Sequence, residues 1–184
     1  MRFSQDFVPV DKSIHDLKGF DCGKKSMNEF LSRFAYKHSK LGLSRTYVIT
    51  TADNSIKNKR QVACYFTLAH STVSKTGVPI DKSLPQYPFP IILLARLAVD
   101  SQFQKNKIGT KSLIYALRRA RDLNSAGLNV FGLVLDVLDE GALGFYKSFS
   151  FFNPFTDDPM RLFVGMETLK SIFIPKIKVS KPEQ

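Results

Sequence analysis

The sequence has few cysteines and no long apolar run. Its two cysteines, Cys22 and Cys64, are too few for a disulfide framework in 184 residues. In a chain without a signal peptide they are expected to be free thiols in the reducing cytoplasm. The apolar runs fall well short of the ~20 residues that a membrane-spanning helix needs. We therefore expect a cytoplasmic protein that does not enter the membrane.

Histidines and acidic residues are also scarce. The three histidines, His15, His38 and His70, show no metal-ligand spacing among themselves or with the cysteines, so we predict no metal site. Acidic residues number 16 against 27 lysines and arginines, which gives a formal charge of +11 and a pI near 9.7. This excess favours a polyanionic partner such as nucleic acid, although a solvated basic surface would explain it too.

The length and composition suit one globular domain. At 184 residues and 43% hydrophobic content the chain has no room for two catalytic domains. We place a single domain at residues 1–167. Residues 168–184 are predicted to form a basic tail that frays, because little apolar content follows Ile177.

One stretch organises the second half of the chain. An apolar strand from Ile91 to Val99 is followed by a polar loop and then by a helix in which Leu113, Leu117 and Ala120 recur at helical spacing. The loop, Gln104 to Gly109, brings backbone N–H groups and two lysines to the start of that helix. Unpaired N–H groups and the helix dipole would hold an anion there. A phosphate-bearing ligand is the first hypothesis, and an ordinary polar connection is the alternative.

An amphipathic helix is predicted earlier, from Lys24 to His38. Its apolar face is core by default and carries Met27, Phe30, Leu31, Phe34 and Ala35. Its basic face continues toward Lys40 and Arg45 and could form one edge of a polyanion site or simply be solvated.

The remaining segments alternate strands and helices with short connections, the order typical of α/β proteins. The pattern predicts a hairpin of residues 45–52 and 61–69, followed by an irregular segment over 71–90 that contains four prolines. A strand is predicted over 129–138, and a helix from its N-cap Asp139 through Phe149. Two more strands are predicted, from Phe151 to Pro154 and from Met160 to Met166.

Several short motifs resemble one protein family. Gln104 and Gly109 fit the pattern Gln or Arg, two residues, Gly, one residue, Gly or Ala, which is the signature of the GNAT acyl-coenzyme A-dependent N-acetyltransferases. Four further motifs are similar to those of the GNAT toxins of bacterial toxin–antitoxin pairs and occur in the family's order: FDCG at Phe20–Gly23, RTYV at Arg45–Val48, LARLAVD at Leu94–Asp100 and GFY at Gly144–Tyr146. The resemblance covers roughly residues 5 to 167 of the chain.

The resemblance implies a fold and a cofactor. The fold is the GNAT acyl-CoA N-acyltransferase fold of the α/β (α+β) class, a mixed central sheet flanked by helices, in which two splayed parallel strands bind the pantetheine arm of acetyl-CoA like an added strand. The residues expected to bind acetyl-CoA are Leu97, Ala98, Val99, Gln104, Lys105, Asn106, Lys107, Ile108, Gly109 and Thr110.

Two of these residues depart from the family's pattern. Lys105 and Lys107 stand where the family usually has glycine, and a side chain disfavours the positive φ that glycine permits. Their ammonium groups could instead add attraction for the diphosphate.

Tyr146 is the catalytic candidate. The GFY match implies that its phenol donates a proton to the departing coenzyme thiolate, and the alternative is a core aromatic. No histidine or carboxylate stands out as a general base. An α-amine, with a reference pKa of roughly 8 against about 10.4 for lysine, needs less help to lose its proton, so an α-amine substrate is favoured.

The resemblance also implies a function and partners. We expect a toxin-type acetyltransferase that acetylates the α-amino group of aminoacyl-tRNA, inhibits translation and is neutralised by a cognate antitoxin, usually a ribbon-helix-helix DNA-binding protein. A homodimer is left open. The residues expected to contact tRNA are Lys25, Lys37, Lys40, Arg45 and Arg96. The alternatives are a GNAT enzyme that acts on a protein lysine, a polyamine or another small amine, and a non-catalytic CoA-binding or tRNA-binding module, against which Tyr146 argues.

Overall fold

The structure is a computed structural model and describes residues 2–56, 59–80 and 84–173. Within these ranges eight strands form one sheet: β1 (Val8–Pro9), β2 (His15–Asp16), β3 (Arg45–Ile56), β4 (Lys59–Val73), β5 (Phe89–Val99), β6 (Gly132–Asp136), β7 (Asn153–Pro154) and β8 (Arg161–Gly165). The helices are α1 (Lys25–Glu29), α2 (Ala35–Lys40), α3 (Ile108–Ser125), α4 (Glu140–Lys147) and α5 (Met166–Ile172). None of the helices in the described ranges has the length and hydropathy that crossing a membrane requires.

The sheet has the order β1-β3-β4-β5-β6-β8-β7, and β2 pairs with β4 beside this path. Its neighbours are antiparallel except for the parallel pairs β5–β6 and β2–β4. Helices cover both faces. On one face the apolar side of α3, with Leu113 and Leu117, packs on the sheet, and on the other Leu31 and Ala35 pack against Val48. Two-sided burial explains why residues 46–51 are all buried although their side chains alternate between faces.

The parallel strands β5 and β6 separate soon after they meet. They pair only at Ile92 with Leu133 and at Leu93 with Val134. Immediately beyond, the register of β5 on β4 shifts, which leaves Ala95 as an extra residue. Such a bulge bends a strand and increases its twist, so the rest of β5 diverges from β6. The predicted fold and its splayed parallel strands are confirmed.

The predicted helix from Lys24 to His38 is not a single α-helix. Residues Phe30–Phe34 form a π-helical segment between α1 and α2, in which the Ala35 N–H donates to the Phe30 carbonyl. A π turn inserts one residue and rotates the next helical turn relative to the 3.6-residue period. Phe34, which was predicted to be in the core, is therefore 45% exposed.

One prediction near the C-terminus was also wrong in part. Phe151 and Phe152 form a turn, in which the Phe152 N–H donates to the Phe149 carbonyl, and the short strand β7 begins only afterwards. The boundary predicted at residue 167 cuts α5, whose Leu169 is fully buried, so we propose that the domain extends through this helix. The rest of the predicted tail, residues 174–184, lies outside the described residues.

Candidate active site

A cavity of about 550 Å³ lies where β5 and β6 diverge. Its walls are the second half of β5, the loop before α3, the first turns of α4, and the segment around α1. The cavity therefore receives residues from helices on both faces of the sheet. This arrangement can bring two ligands together, one from each face.

One wall of the cavity is a strand edge without a partner. Residues 96–99 of β5 pair with β4 on one side, whereas β6 has already diverged on the other. Leu97, Ala98 and Val99, which were predicted to bind the cofactor, all line the cavity here. The Gln104 side chain donates to the Val99 carbonyl at 3.1 Å and so fixes the following loop to the end of the strand. The remaining free edge can take an extended chain of amide groups as an added strand.

The loop between β5 and α3 has the backbone conformation that glycines would give it. Lys105 and Lys107 both have positive φ, 64° and 58°. Left-handed backbone costs a residue with a side chain roughly 1–2 kcal/mol. Asn106 braces the loop, because its side-chain amide donates to the carbonyls of Phe103 and Gln104 at 3.4 and 3.3 Å. The departure from the family's pattern thus changes the residues while the backbone stays in the glycine-like conformation.

The start of α3 presents free donors. The first hydrogen bond of the helix runs from the Lys111 N–H to the Lys107 carbonyl, so the N–H groups of Ile108, Gly109 and Thr110 have no acceptor within the helix. No side chain caps this end, and its first turn carries no acidic residue. Lys105 and Gly109 line the cavity next to these donors. The geometry is that of an anion site at a helix N-terminus.

A buried carboxylate ties the loop to the segment before α1. Asp100 is 1% exposed, and its two oxygens accept from the backbone N–H groups of Asp21 and Gln102 at 2.9 and 3.0 Å. The Ser101 N–H donates back to the Asp21 carbonyl. In the sequence Asp100 is recognisable only as the last residue of the LARLAVD motif. The joint occurrence of the FDCG and LARLAVD motifs is the signal that could have revealed this link.

Tyr146 lies on α4 and lines the cavity. Its ring is buried and makes edge contacts with Phe145 and Phe152 at centroid distances of 5.1 and 5.9 Å. Burial, with a smaller effect from the nearby Cys64 thiol, raises the pKa of Tyr146 well above its usual range. The phenol therefore stays protonated at neutral pH and can act as a proton donor.

Two known toxins are similar to this chain in sequence over most of its length. No family model matches the chain. A tRNA-acetylating toxin of Mycobacterium tuberculosis is 29% identical over 161 residues, which is 85% of this chain and 90% of that protein. A probable toxin TacT of Sinorhizobium fredii is 24% identical over 175 residues, which is 89% and 92% of the two chains.

Solved structures agree in fold. AtaT complexed with acetyl-methionyl-tRNAfMet matches with a TM-score of 0.80 at 25% identity, and AtaTR bound with AcCoA matches with 0.77 at 26%; each covers 94% of this chain and 99% of the other. A tyrosine-to-phenylalanine mutant of AtaT bound to the C-terminus of the antitoxin AtaR matches with 0.78 at 22% identity, over 95% and 100% of the chains. The chain is similar in sequence and in fold to these GNAT toxins.

An ion pair crosses the cavity on the side of α1. Lys24 Nζ lies 2.8 Å from Asp139 Oδ2, and both residues line the cavity. The other Asp139 oxygen accepts from the Ala142 N–H, as expected for the predicted N-cap of α4. The contact raises the pKa of Lys24 and lowers that of Asp139. The cap is predictable from the sequence, whereas the ion pair is not, because Lys24 and Asp139 are far apart in the chain.

The residues predicted to contact tRNA divide into two groups. Arg96 lines the cavity, with its guanidinium carbon 3.9 Å from the centre of the Phe30 ring. The other four are exposed on the outer surface of α1 and α2 or at the start of β3: Lys25, Lys37, Lys40 and Arg45. Their contact with tRNA stays a prediction. Within the part of the chain that the structure describes, no group of three or more histidine, cysteine, aspartate or glutamate side chains is placed to hold a metal ion.

Proposed function

We propose that the protein transfers the acetyl group of acetyl-coenzyme A to the α-amino group of aminoacyl-tRNA and thereby inhibits translation. The observation that carries this proposal is the cavity itself, which joins an anion-binding helix start, a free strand edge and Tyr146. Two comparisons support it: the M. tuberculosis relative is named a tRNA-acetylating toxin, and AtaT, at 25% identity, was solved with acetyl-methionyl-tRNAfMet.

The described residues fit acetyl-coenzyme A. Backbone groups of Leu97 and Val99 would hold the pantetheine amides along the free edge of β5, and the N–H groups of residues 105–110 would hold the pyrophosphate. Gly109 faces the cavity, where a Cβ would meet Val99 Cγ2 at 3.5 Å and the Phe145 ring at 3.9 Å. The cofactor supplies an acetyl group activated as a thioester.

Tyr146 completes the chemistry. The neutral α-amine attacks the thioester carbonyl, a carbon–nitrogen bond forms, and the carbon–sulfur bond breaks. Tyr146 donates its proton to the departing sulfur, and the amine loses its extra proton to solvent. The burial that raises the pKa of Tyr146 keeps its phenol protonated, so the proton is present when the sulfur departs.

The similarity to AtaT also suggests a protein partner. We propose a cognate antitoxin, as AtaR is for AtaT, of the ribbon-helix-helix DNA-binding type. The protein would act in the cytoplasm, where charged tRNA is found, as a monomer or a homodimer. Acetylation of a protein lysine, a polyamine or another small amine is the alternative function.

A substrate panel with labelled acetyl-coenzyme A tests the proposal. The protein is incubated with charged tRNA, the same tRNA deacylated, free lysine and spermidine. We expect label on charged tRNA alone, and release of that label together with the amino acid by mild base. Equal labelling of lysine or spermidine, or no label on charged tRNA, would favour the alternative. The matched control is Tyr146→Phe, which keeps the aromatic ring and lacks the proton donor.

A further inference from the structure

We propose that Phe34 and His38 form a stacking platform for an unpaired nucleobase at the 3′ end of the charged tRNA. This inference rests on the proposed function and deepens it, because it assigns a place to the nucleotide that carries the amino acid. The platform lies on the outer surface of the α1–α2 layer, where the helix changes to π geometry.

Phe34 is exposed although the helix pattern predicts it in the core. Its neighbours on the apolar side, Leu31 and Ala35, are fully buried, whereas Phe34 is 45% exposed. The π-helical segment ends at Phe34. The φ of Phe34 is −113°, which lies outside the regular helical range. A π segment inside a helix is frequently found at a functional site, since the inserted residue turns a side chain outward.

The exposed ring belongs to an aromatic series that reaches the cavity. The Phe34 and His38 rings lie 6.0 Å apart, and His38 makes an edge contact with Phe30 at 5.6 Å. Phe30 in turn carries the Arg96 guanidinium on its face, and Arg96 lines the cavity. Exposed aromatic and guanidinium planes are the groups on which proteins stack unpaired bases.

The charge around the platform selects a nucleic acid as its occupant. Arg33, Lys37 and Lys40 are exposed on the same two helical turns, and the nearest acidic residue in the sequence is Glu29, at the end of α1. Exposed apolar surface surrounded by cations attracts an anionic chain with apolar bases.

The spacing along the helix agrees with this occupant. Met27 lines the cavity, and Phe34 comes seven residues later, about 10 Å along a helix. The amino acid of a charged tRNA is esterified to the ribose of the terminal nucleotide. When the α-amine is in the cavity, the base of that nucleotide must lie close to the entrance. Because every base has an aromatic face, stacking would accept the unpaired 3′ end of any tRNA.

Steady-state kinetics with charged tRNA test the platform. Phe34→Leu keeps an apolar side chain but lacks a ring, and we expect the KM for charged tRNA to rise about tenfold with little change in kcat, as for loss of one aromatic partner of a base. Phe34→Tyr should restore the KM. Leu43→Ala is the matched control, since Leu43 is 59% exposed on the loop after α2 and should leave the KM within twofold of wild type.

Fluorescence gives a second, direct readout. The chain has no tryptophan, so Phe34→Trp introduces a single reporter. Its emission should be quenched by deacylated tRNA with an intact 3′ end, and much less by the same tRNA without its terminal adenosine. Leu43→Trp should show no such difference.

The two proposals can fail separately. The platform is refuted, and the proposed function stands, if the wild-type protein acetylates charged tRNA but Phe34→Leu leaves the KM within twofold. The platform is also refuted if tRNA with and without the terminal adenosine quenches the Phe34→Trp emission equally. If the wild-type protein does not acetylate charged tRNA, the proposed function itself is refuted.

Discussion

At the scale of single residues, Tyr146 combines a buried ring with a position on the cavity wall. Tyr146→Phe removes one hydroxyl and keeps the edge contacts with Phe145 and Phe152. If the phenol is the general acid, kcat for acetyl transfer should fall by about 10²–10⁴. The melting temperature and the Kd for acetyl-coenzyme A should stay close to wild type. An equal loss of folding would identify Tyr146 as a core residue only.

Substitution of Lys107 tests whether backbone strain or side-chain charge has the larger effect on the binding of acetyl-coenzyme A. The backbone at Lys107 is already left-handed, so glycine gains no better geometry for binding and loses an ammonium group. We expect Lys107→Gly to bind acetyl-coenzyme A two- to tenfold more weakly by calorimetric titration, with the difference shrinking as salt screens the charge. Lys107→Asn is the control, because asparagine tolerates positive φ and is neutral; it should behave like glycine. Tighter binding by the glycine variant would show that strain dominates instead.

Sequence patterns predicted the residues of the site unevenly. Tyr146 and the loop from Gln104 to Thr110 could be recognised because each belongs to a short contiguous motif. Lys24 could not, since its partner Asp139 is distant in the chain and only the fold brings the two together. The positive φ of Lys105 and Lys107 was foreseeable only through the resemblance, because lysine by itself indicates no such conformation.

At the scale of secondary structure, periodicity predicted the elements that bury one face and missed the irregular ones. The strand β5 is a nearly continuous apolar run and the helix α3 repeats its apolar residues at helical spacing, and both were predicted well. The π segment at Phe30–Phe34 keeps an α-helical pattern in sequence, and its Phe30 and Leu31 are buried in the cluster on this face of the sheet. The strand predicted at Phe151 failed for a similar reason: two adjacent aromatics suit a buried turn as well as a strand.

The start of α4 allows a test at this scale. Asp139 caps the helix through one oxygen and pairs with Lys24 through the other. Asparagine is an equally good N-cap but cannot form the ion pair, whereas alanine can do neither. Because exposed ion pairs contribute little stability, we expect Asp139→Asn to melt near the wild-type temperature and Asp139→Ala to melt distinctly lower.

Calorimetric scans of the two Asp139 variants, with Lys24→Met alongside, would check this order. Lys24→Met should also melt near wild type, since it removes only the pair. A large loss in Asp139→Asn or Lys24→Met would show that the contact across the cavity, and not the cap, stabilises this region.

At the scale of the whole molecule, the charge of +11 should appear as salt-dependent binding. Each phosphate neutralised by a lysine or arginine releases counterions, so the affinity for tRNA should fall linearly with salt on a log–log plot. Replacing Lys25, Lys37 and Arg45 together with alanine should weaken binding of all tRNA species and flatten this slope, because phosphate contacts carry no sequence information. The Kd for acetyl-coenzyme A should not change.

A matched variant controls for the possibility that any loss of positive charge weakens tRNA binding. Lys59, Arg60 and Lys75 are basic residues of β4 and the segment after it, and their replacement removes the same formal charge elsewhere in the chain. Binding isotherms at several salt concentrations would compare the two variants. If both weaken tRNA binding equally, the α1–α2 surface is not the tRNA site.

The central claim is that the acetyl group reaches the α-amine of an amino acid on tRNA. The most direct measurement is mass spectrometry of nuclease-digested charged tRNA after incubation with the protein and acetyl-coenzyme A. The predicted product is the terminal adenosine esterified to an amino acid that carries one acetyl group on its α-nitrogen, present with the wild-type protein and nearly absent with Tyr146→Phe. Aminoacyl-adenosine without the acetyl group, or an acetyl group on any other atom, would contradict the account.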